Sequence, residues 1–384
     1  MSRNRDASKP TSAVSREEGE GVLGTLLKKT GRAARNGAAS LYGLGAWADR
    51  AARNRNAGVR GRPSCAIVSV GGITVGGAGK TPVAAALARS LAARGWRVVV
   101  ASRGYRGSNR ERVKLVSDGE RVCASVSEVG DEALLLAAHA PGVSVLVGRD
   151  RHWVGHHAVS VLGAEILVLD DGFQHHRLLR DIDCVCVDGA SAVGNGKLLP
   201  AGPLREPLAS LSRADWIVIV DGVPGDAANR LIEPLLVASQ APASSENEPA
   251  LQLARAQRVP SSLVSLDLRR AHPLSWLNGR RVGLLAGIAQ PGTLRRTLHS
   301  LGAEIVSERR FPDHHAYVEK DLRDLDPTVP VWITTEKDAL KILPDWAVSS
   351  VIFVLRIDAE FEPGDSFVAD IEAQLRALGR LPRD

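Results

Sequence analysis

The chain has 384 residues, of which 44% are hydrophobic and 24% charged, with 49 Lys and Arg against 43 Asp and Glu. This length predicts two or three domains, and the apolar share suffices for a buried core. No apolar run reaches the ~18 residues of a membrane span, and we expect no signal peptide because the first residues lack its apolar core. The composition therefore favours a globular protein over a membrane-spanning one.

Positive charge is concentrated at the start of the chain. Residues 1–62 hold 13 Lys and Arg against 5 Asp and Glu, whereas residues 63–384 hold 36 against 38. Because the body is close to neutral, the charge distribution argues against nucleic-acid binding. It favours an N-terminal arm that binds an anionic surface.

Residues 1–20 are polar and predict a disordered tail. Residues 21–62 predict a basic helical arm, because Val22 to Leu27 and Leu41 to Ala51 carry apolar stripes, one with Trp47, beside Lys and Arg. Such a pattern is typical of a helix lying in a membrane interface. The alternative is an N-terminal helix that packs on its own domain.

A glycine-rich loop follows an apolar strand at 65–70 and precedes an Ala-rich helix at 83–94. This context predicts a phosphate loop, in which backbone N–H groups and the helix N-terminus bind phosphate oxygens. Lys80 would reach the β- and γ-phosphates, and the Thr81 hydroxyl would bind Mg²⁺. The predicted nucleotide-binding residues are Thr74, Val75, Gly76, Gly77, Ala78, Gly79, Lys80 and Thr81. The general pattern has Gly where this chain has Thr74, and related switch ATPases often have Lys where it has Val75.

Further apolar strands alternate with helices. The strands predicted for the first domain, residues 63–238, are 96–101, 143–147, 166–171, 183–188 and 216–221. This alternation is typical of a doubly wound α/β sheet. Residues 239–262 are rich in Ser, Pro, Glu and Gln and predict a linker. A second, smaller α/β domain is predicted at 263–384, with strands at 281–286, 304–307, 331–335 and 351–355.

Two adjacent carboxylates end the strand at 166–171. An apolar strand ending in Asp is the form of the second NTPase motif, whose carboxylate holds Mg²⁺. We expect either Asp170 or Asp171 to hold the metal, directly or through water, and the other to orient Thr81 or a metal-bound water. The predicted metal-binding residues also include Glu132.

Several motifs together resemble the tetraacyldisaccharide 4′-kinase (lipid A 4′-kinase) family. They cover residues ~64–340 in the family's order, and the family shares the threonine at position 74. The matching stretches begin at Thr74, Ser102, Val129, Asp170, Leu198, Phe311 and Thr334 and read TVGGAGKTP, SRGY, VGDE, DDGFQH, LLPAGPLRE, FPDH and TTEKD.

The resemblance implies transfer of the ATP γ-phosphate to the 4′-hydroxyl of a tetraacylated disaccharide 1-phosphate, at the cytosolic face of the bacterial inner membrane. It implies ATP and Mg²⁺ as cofactors, the lipid disaccharide as substrate and the anionic inner membrane as a peripheral contact. It also assigns Asp131 as the carboxylate that takes the hydroxyl proton and His314 as its partner from the second domain. We expect substrate or phosphate contacts from Arg103, Tyr105, Arg151, Gln174, His175, Arg205 and Glu206. Residues 335–338 match the family, but their chemistry suggests no role.

Two other functions remain open at this point. The Gly-Gly-x-Gly-Lys-Thr form also occurs in switch ATPases, which would hydrolyse ATP with a protein partner. A soluble kinase or ligase for a small metabolite is the second alternative, although it leaves the basic arm unexplained.

Overall fold

The computed structural model describes residues 62–105, 107–175, 177–223, 225–240, 251–266, 271–288, 291–313, 315–346, 351–363 and 366–382. The predicted tail, the predicted arm apart from Arg62, and His314 lie outside these residues. Arg62 forms an ion pair with Asp181, next to the start of the sheet.

The first half of the sheet consists of apolar strands separated by helices. The strands are β1 (Ala66–Gly71), β2 (Val98–Ser102), β3 (Lys114–Ser117), β4 (Ser144–Val147), β5 (Ile166–Asp170), β6 (Ile182–Asp188) and β7 (Trp216–Val220). The helices are α1 (Lys80–Ala93), α2 (Val126–Val129), α3 (Asp131–His139), α4 (Arg151–Leu162) and α5 (Ala227–Gln240). The order is β7-β6-β1-β5-β2-β4-β3, and every pair is parallel except β3 with β4.

The central strands of this half are buried on both faces. Val68 of β1 and Val168 of β5 pack in one core cluster with α1 and α3, whereas Ile67 and Leu167 pack on the opposite face with α4. Helices on both faces explain why these strands are continuously apolar. The predicted doubly wound α/β sheet is confirmed.

The second half contributes six more strands to the same sheet. They are β8 (Gln252–Ser265), β9 (Ala271–His272), β10 (Arg281–Ala286), β11 (Glu304–Arg310), β12 (Val331–Thr335) and β13 (Val351–Phe361). The helices are α6 (Pro291–Ser300), α7 (Glu319–Arg323), α8 (Glu336–Ala339) and α9 (Phe367–Ala377). The order continues from β7 as β8-β13-β12-β10-β11, with β9 beside β8.

The predicted linker at 239–262 is wrong for residues 252–262, which belong to the 14-residue strand β8. β8 pairs in parallel with β7 and antiparallel with β13, so it joins the two halves into one sheet. The register shifts where Pro260 lies opposite Ile357, because proline has no N–H to donate to the ladder. A strand that contains proline and serine is stabilised here by two neighbours that its own composition does not reveal.

The predicted second domain at 263–384 also needs correction, because its last helix belongs to the first half. Phe367, Ile371 and Leu375 of α9 pack in the core cluster of α1 and β1. The ring of Phe367 lies 4.9 Å from that of Trp216 in an edge-on contact. The chain thus crosses to the second half through β8 and returns through β13.

This topology places a cleft of about 2210 Å³ between the two halves. Because β8 runs antiparallel to β13, the strands of the two halves run in opposite directions, and the carboxyl ends of both sets face the cleft. Carboxyl ends of parallel strands are the usual place for ligands in α/β sheets. Among the described residues, no helix combines the length and the apolar character that crossing a bilayer requires.

Candidate active site

The glycine-rich loop connects β1 to α1 at one wall of the cleft. Gly76 and Gly79 have φ angles of 108° and 75°, a region that favours glycine, and α1 begins directly after Gly79. A Cβ on Gly79 would lie 2.8 Å from the side chain of Val220. All eight predicted nucleotide-binding residues, 74–81, line the cleft. The loop therefore has the geometry of a phosphate-binding turn before a helix N-terminus.

The two reactive side chains of the loop contact the acids at the end of β5. The Thr81 hydroxyl donates to Asp170 Oδ2 at 2.9 Å, and Lys80 Nζ lies 3.7 Å from Asp171 Oδ1. Lys80 also donates to the carbonyl of Gly76, at 3.4 Å. Since β1 and β5 are paired from Ala66 to Val70, the sheet register brings these groups together.

The two adjacent carboxylates have opposite environments. Burial raises the pKa of Asp170 to about 7, and the negative charges of Asp171 and Glu132 act in the same direction. Burial would also raise the pKa of Asp171, but the cations Lys80 and Arg205 outweigh it and lower that pKa. Arg205 donates to Asp171 Oδ2 at 2.7 Å. Asp170 thus carries a buried carboxylate that Lys80 compensates only in part, and a further cation bound there would favour its charged form.

Asp170 has an oxygen suited to a cation. Its Oδ1 is buried and has no hydrogen-bond partner in the described part of the chain. Buried polar atoms are almost always paired, so such an atom needs an explanation. No cluster of three or more His, Cys, Asp or Glu suited to a metal occurs among the residues described. A site at Asp170 would thus take most of its ligands from phosphate and water, as is usual for Mg²⁺.

The predicted substrate residues all line the cleft, but they differ in what they contact. Arg151 is only 3% exposed and donates to the carbonyls of Gly148 and Asp170, so it supports the ends of β4 and β5. Burial lowers its pKa to about 10. The Gln174 amide donates to the carbonyl of Gly72 at 2.9 Å and braces the phosphate loop.

Glu206 is 6% exposed, and its carboxylate accepts a hydrogen bond from Arg213 at 2.8 Å. The guanidinium of Arg213 lies over the ring of Phe173. The backbone beside it is fixed as well, because Arg205 N donates to the carbonyl of Ile73 at 2.7 Å. Tyr105 is 60% exposed at the cleft. Substrate contact by these residues stays a prediction.

Asp131 is the first residue of α3, where its carboxylate accepts from the N–H of Glu132 at 3.1 Å. Glu132 lines the cleft, whereas Asp131 is half-buried at its edge and is not among the lining residues. His314, its predicted partner, is outside the described residues, but the preceding Asp313 lines the cleft from the second half. The structure therefore brings the two motifs to the same cleft, and the dyad itself stays a prediction.

Sequence reasoning missed Arg258, which lies on β8 in the segment predicted as a linker. Its Nη1 donates to the carbonyl of Gly77 in the phosphate loop at 3.0 Å. Its other nitrogens pair with Asp221 at 2.6 Å and Asp188 at 3.1 Å, the acids that follow β7 and end β6. The only local signal for a cation at this edge was that β6 and β7, like β5, are apolar strands that lead into an aspartate.

Residues 335–338, which had no predicted role, cap α8 at the wall of the second half. The Thr335 hydroxyl donates to Asp338 Oδ2 at 2.8 Å, and the N–H of Gly287 donates to the same oxygen at 3.0 Å. Thr335, Glu336 and Lys337 line the cleft.

Comparison with known proteins agrees with the site. The sequence profile of the family described as tetraacyldisaccharide-1-P 4′-kinase matches residues 36–376. Tetraacyldisaccharide 4′-kinase of Anaeromyxobacter sp. (strain Fw109-5) is 42% identical over 339 residues, covering 86% of this chain and 88% of that protein. The same-named kinase of Syntrophus aciditrophicus is 41% identical over 316 residues, covering 80% and 83%.

A solved structure shows the same architecture. The "apo" form of LpxK from Aquifex aeolicus in complex with ATP superposes with a TM-score of 0.70 at 28% identity, covering 89% of this chain and 99% of that one. The family match spans both halves of the sheet and every motif at the cleft. The chain therefore belongs to the tetraacyldisaccharide-1-P 4′-kinase family.

Proposed function

We propose that the cleft transfers the γ-phosphate of ATP to the 4′-hydroxyl of a tetraacylated glucosamine disaccharide 1-phosphate, with Asp131 as the base. The observation that carries this proposal is the pairing of the phosphate loop with a buried acid. Thr81 contacts one oxygen of Asp170, and the other oxygen is buried without a hydrogen-bond partner among the described residues.

The nucleotide phosphates would lie against the N-terminus of α1. The glycines at 76 and 79 turn the loop so that its backbone faces the cleft, and the helix dipole adds positive charge there. Lys80 is held near this position by Asp171 and the Gly76 carbonyl, both within 3.7 Å. From there its flexible stem would reach a phosphate oxygen, and Arg258 holds the loop through its hydrogen bond to the Gly77 carbonyl.

The residues at the end of β5 fit Mg²⁺. Thr81, Asp170 and Glu132 would supply oxygen ligands, and among the described residues Oδ1 of both Asp170 and Asp171 is buried without a hydrogen-bond partner. We assign Asp171 as the outer carboxylate because Lys80 and Arg205 lower its pKa. When bound with ATP, the metal supplies charge neutralisation at the phosphates that react.

The acceptor hydroxyl needs a base because it is a weak nucleophile. As the bond from the 4′-oxygen to the γ-phosphorus forms, the bond from that phosphorus to the β,γ-bridging oxygen breaks and ADP leaves. The hydroxyl proton passes to the Asp131 carboxylate, and His314 would orient that carboxylate and share the charge. Asp131 lies at the first position of α3, where the helix dipole favours a negative charge.

The remaining polar groups of the cleft fit an anionic sugar. Arg103, Tyr105, His175 and Arg205 line it on the phosphate-loop half, and Arg suits bidentate recognition of phosphate. These residues are proposed to hold the disaccharide, and the acyl chains are proposed to stay at the membrane. The basic arm at 21–62 would bring the enzyme to the anionic inner-membrane surface from the cytosolic side.

A transfer assay with ATP and purified disaccharide 1-phosphate in detergent tests the proposal. We expect Asp131→Asn to lower kcat about 10²–10⁴-fold, the usual contribution of a general base. Asp324→Asn, an exposed acid after α7, is the matched control and should retain wild-type activity.

Two results would contradict the proposal. Near-normal turnover by Asp131→Asn would show that this residue is not the base. ATP hydrolysis at one rate with and without the disaccharide would instead indicate a switch ATPase.

A further inference from the structure

His139 is the last residue of α3, the helix that begins with Asp131. Its ring is only 4% exposed and lies between two carboxylates of the other half of the molecule. Nδ1 lies 2.9 Å from Asp358 Oδ1 on β13, and Nε2 lies 3.0 Å from Glu336 Oε2 on α8. Neither contact contributes to the phosphate site described above, so this arrangement needs its own explanation.

A ring with a carboxylate at each nitrogen must donate twice. A neutral imidazole has one N–H, so its other nitrogen would present a lone pair to a carboxylate oxygen. The doubly protonated ring satisfies both contacts with charge-assisted hydrogen bonds, which are about twice as strong as neutral ones. The geometry therefore indicates an imidazolium.

The cations around His139 hold the same helix end. Arg356 of β13 donates to the carbonyl of Ala138 at 3.2 Å and to Glu336 at 3.3 Å. Arg89 of α1 donates to the carbonyl of His139 and, at 3.1 Å, to Asp358. Positive charge at a helix C-terminus is favourable because the last carbonyls carry partial negative charge. The end of α3 is thus bound by α1, β13 and α8 together.

We propose that His139, protonated on both ring nitrogens, is a positioning residue that fixes α3 and therefore Asp131 relative to the second half of the molecule. Asp131 and His139 are eight residues apart, so about 12 Å of rigid helix separates the clamped end from the end that carries the base. Glu336 of the 335–338 segment is the acceptor on the second half. The proposal rests on the assignment of Asp131 in the proposed function and gives that segment a role.

The two hydrogen bonds from protonated His139 to Asp358 and Glu336 are called the clamp below. The charges around the ring determine the pH range in which these bonds persist. The titratable and charged groups that face it are Glu336 on α8, Asp358 and Arg356 on β13, and Arg89 on α1. Burial alone lowers the pKa of His139, but the hydrogen bonds to Asp358 and Glu336 and their charges outweigh burial and raise it to about 9. A raised pKa means that the charged form is present below about pH 9 and is lost as the pH rises through that value. The clamp should therefore fail on the alkaline side.

The test measures kcat, and KM for ATP, from pH 7 to 10 in wild type, His139→Gln and Glu336→Gln. His156→Gln is the matched control, since His156 is exposed on α4. We expect wild type and the control to lose kcat through about pH 9. His139→Gln should have a kcat about 10- to 100-fold lower at pH 7.5, should show no alkaline loss, and should keep KM for ATP within about twofold, because a small misplacement of a reactive group costs this much.

Glu336→Gln distinguishes the clamp from a purely structural role. The substituted amide still accepts a hydrogen bond from the ring but no longer stabilises its charge, so the alkaline loss should move to lower pH, by roughly one pH unit. The titration midpoint of His139, read by NMR of labelled histidine, should move with it. If His139→Gln keeps wild-type kcat and the same alkaline loss, the clamp is refuted. The same holds if Glu336→Gln leaves the midpoint unchanged.

Failure of the clamp is separable from failure of the proposed function. An inactive Asp131→Asn variant together with an unchanged pH profile in His139→Gln overturns the clamp and leaves the base assignment intact. An active Asp131→Asn variant overturns the base assignment and, with it, the role of His139 in placing Asp131. Binding of ATP by His139→Gln with wild-type affinity shows that a low kcat does not reflect unfolding.

Discussion

Substituting the two adjacent acids Asp170 and Asp171 with asparagine should change stability in opposite directions. The folded protein raises the pKa of Asp170 from 3.8 to about 7, chiefly by burial. Each pKa unit corresponds to about 1.4 kcal/mol, so the ionised side chain destabilises the metal-free protein by about 4 kcal/mol above pH 7. This penalty grows as the pH rises from the pKa of Asp170 in the unfolded chain, 3.8, to its pKa in the folded protein, about 7.

Asp170→Asn removes the charge but places an amide N–H₂ where Oδ1 has no hydrogen-bond partner among the described residues. An unpaired buried donor costs about 1–3 kcal/mol, so we expect a net gain of about 1–3 kcal/mol at pH 8. The amide cost does not depend on pH. The advantage of the variant over wild type should therefore be about 3 kcal/mol larger at pH 8 than at pH 4.5.

The assay is urea unfolding followed by tryptophan fluorescence, in EDTA, at the two pH values. Asp171→Asn is the matched variant, because Lys80 and Arg205 lower the pKa of Asp171 and the lost charge is a favourable one. That variant should be less stable than wild type at pH 8. The loss should be modest, since the Asp171 side chain is 37% exposed and solvent screens its ion pairs. A pH-independent effect of Asp170→Asn would refute the argument that burial of its charge is the source of strain.

Three further predictions concern activity and location. Lys80→Ala should abolish phosphate transfer without unfolding the protein, because its ammonium group lies in the cleft; normal turnover at saturating ATP would contradict the phosphate-loop assignment. The Asp131→Ala and His314→Ala double variant should be little worse than the worse single variant, since paired groups act as a unit, whereas multiplicative losses in kcat would indicate independent roles. Deleting residues 1–60 should reduce flotation with anionic vesicles and spare transfer to detergent-dispersed substrate more than transfer in vesicles. Each basic residue engaged should contribute about 1 kcal/mol to vesicle binding, so wild-type flotation should weaken as salt is added. If wild type does not float even at low salt, the membrane role of the arm is refuted.

The local features of the site could be read from the sequence because each depends on residues close together in the chain. Gly76 and Gly79 adopt positive φ angles, which other residues adopt only with strain. The apolar strands that end at Gly71 and Asp170 place the loop and the acid at one edge of the sheet. The order of the motifs was enough to identify the family. The contact between Thr81 and an acid of β5 follows from the same alternation of strand and helix.

The tertiary structure decided what distant segments contribute. β8 is a strand because β7 and β13 supply its hydrogen-bond partners, although its serines and proline predicted a linker, and this is why Arg258 was missed. The partners of His139 lie 197 and 219 residues further along the chain, so no local pattern marks it as different from any other helix-end histidine. Sequence alone thus determined the α/β class and predicted the phosphate loop and the acids, which depend on local backbone geometry and periodicity. Only the folded sheet decided which charges meet across the cleft, because electrostatic pairing depends on distance in space and not on distance along the chain.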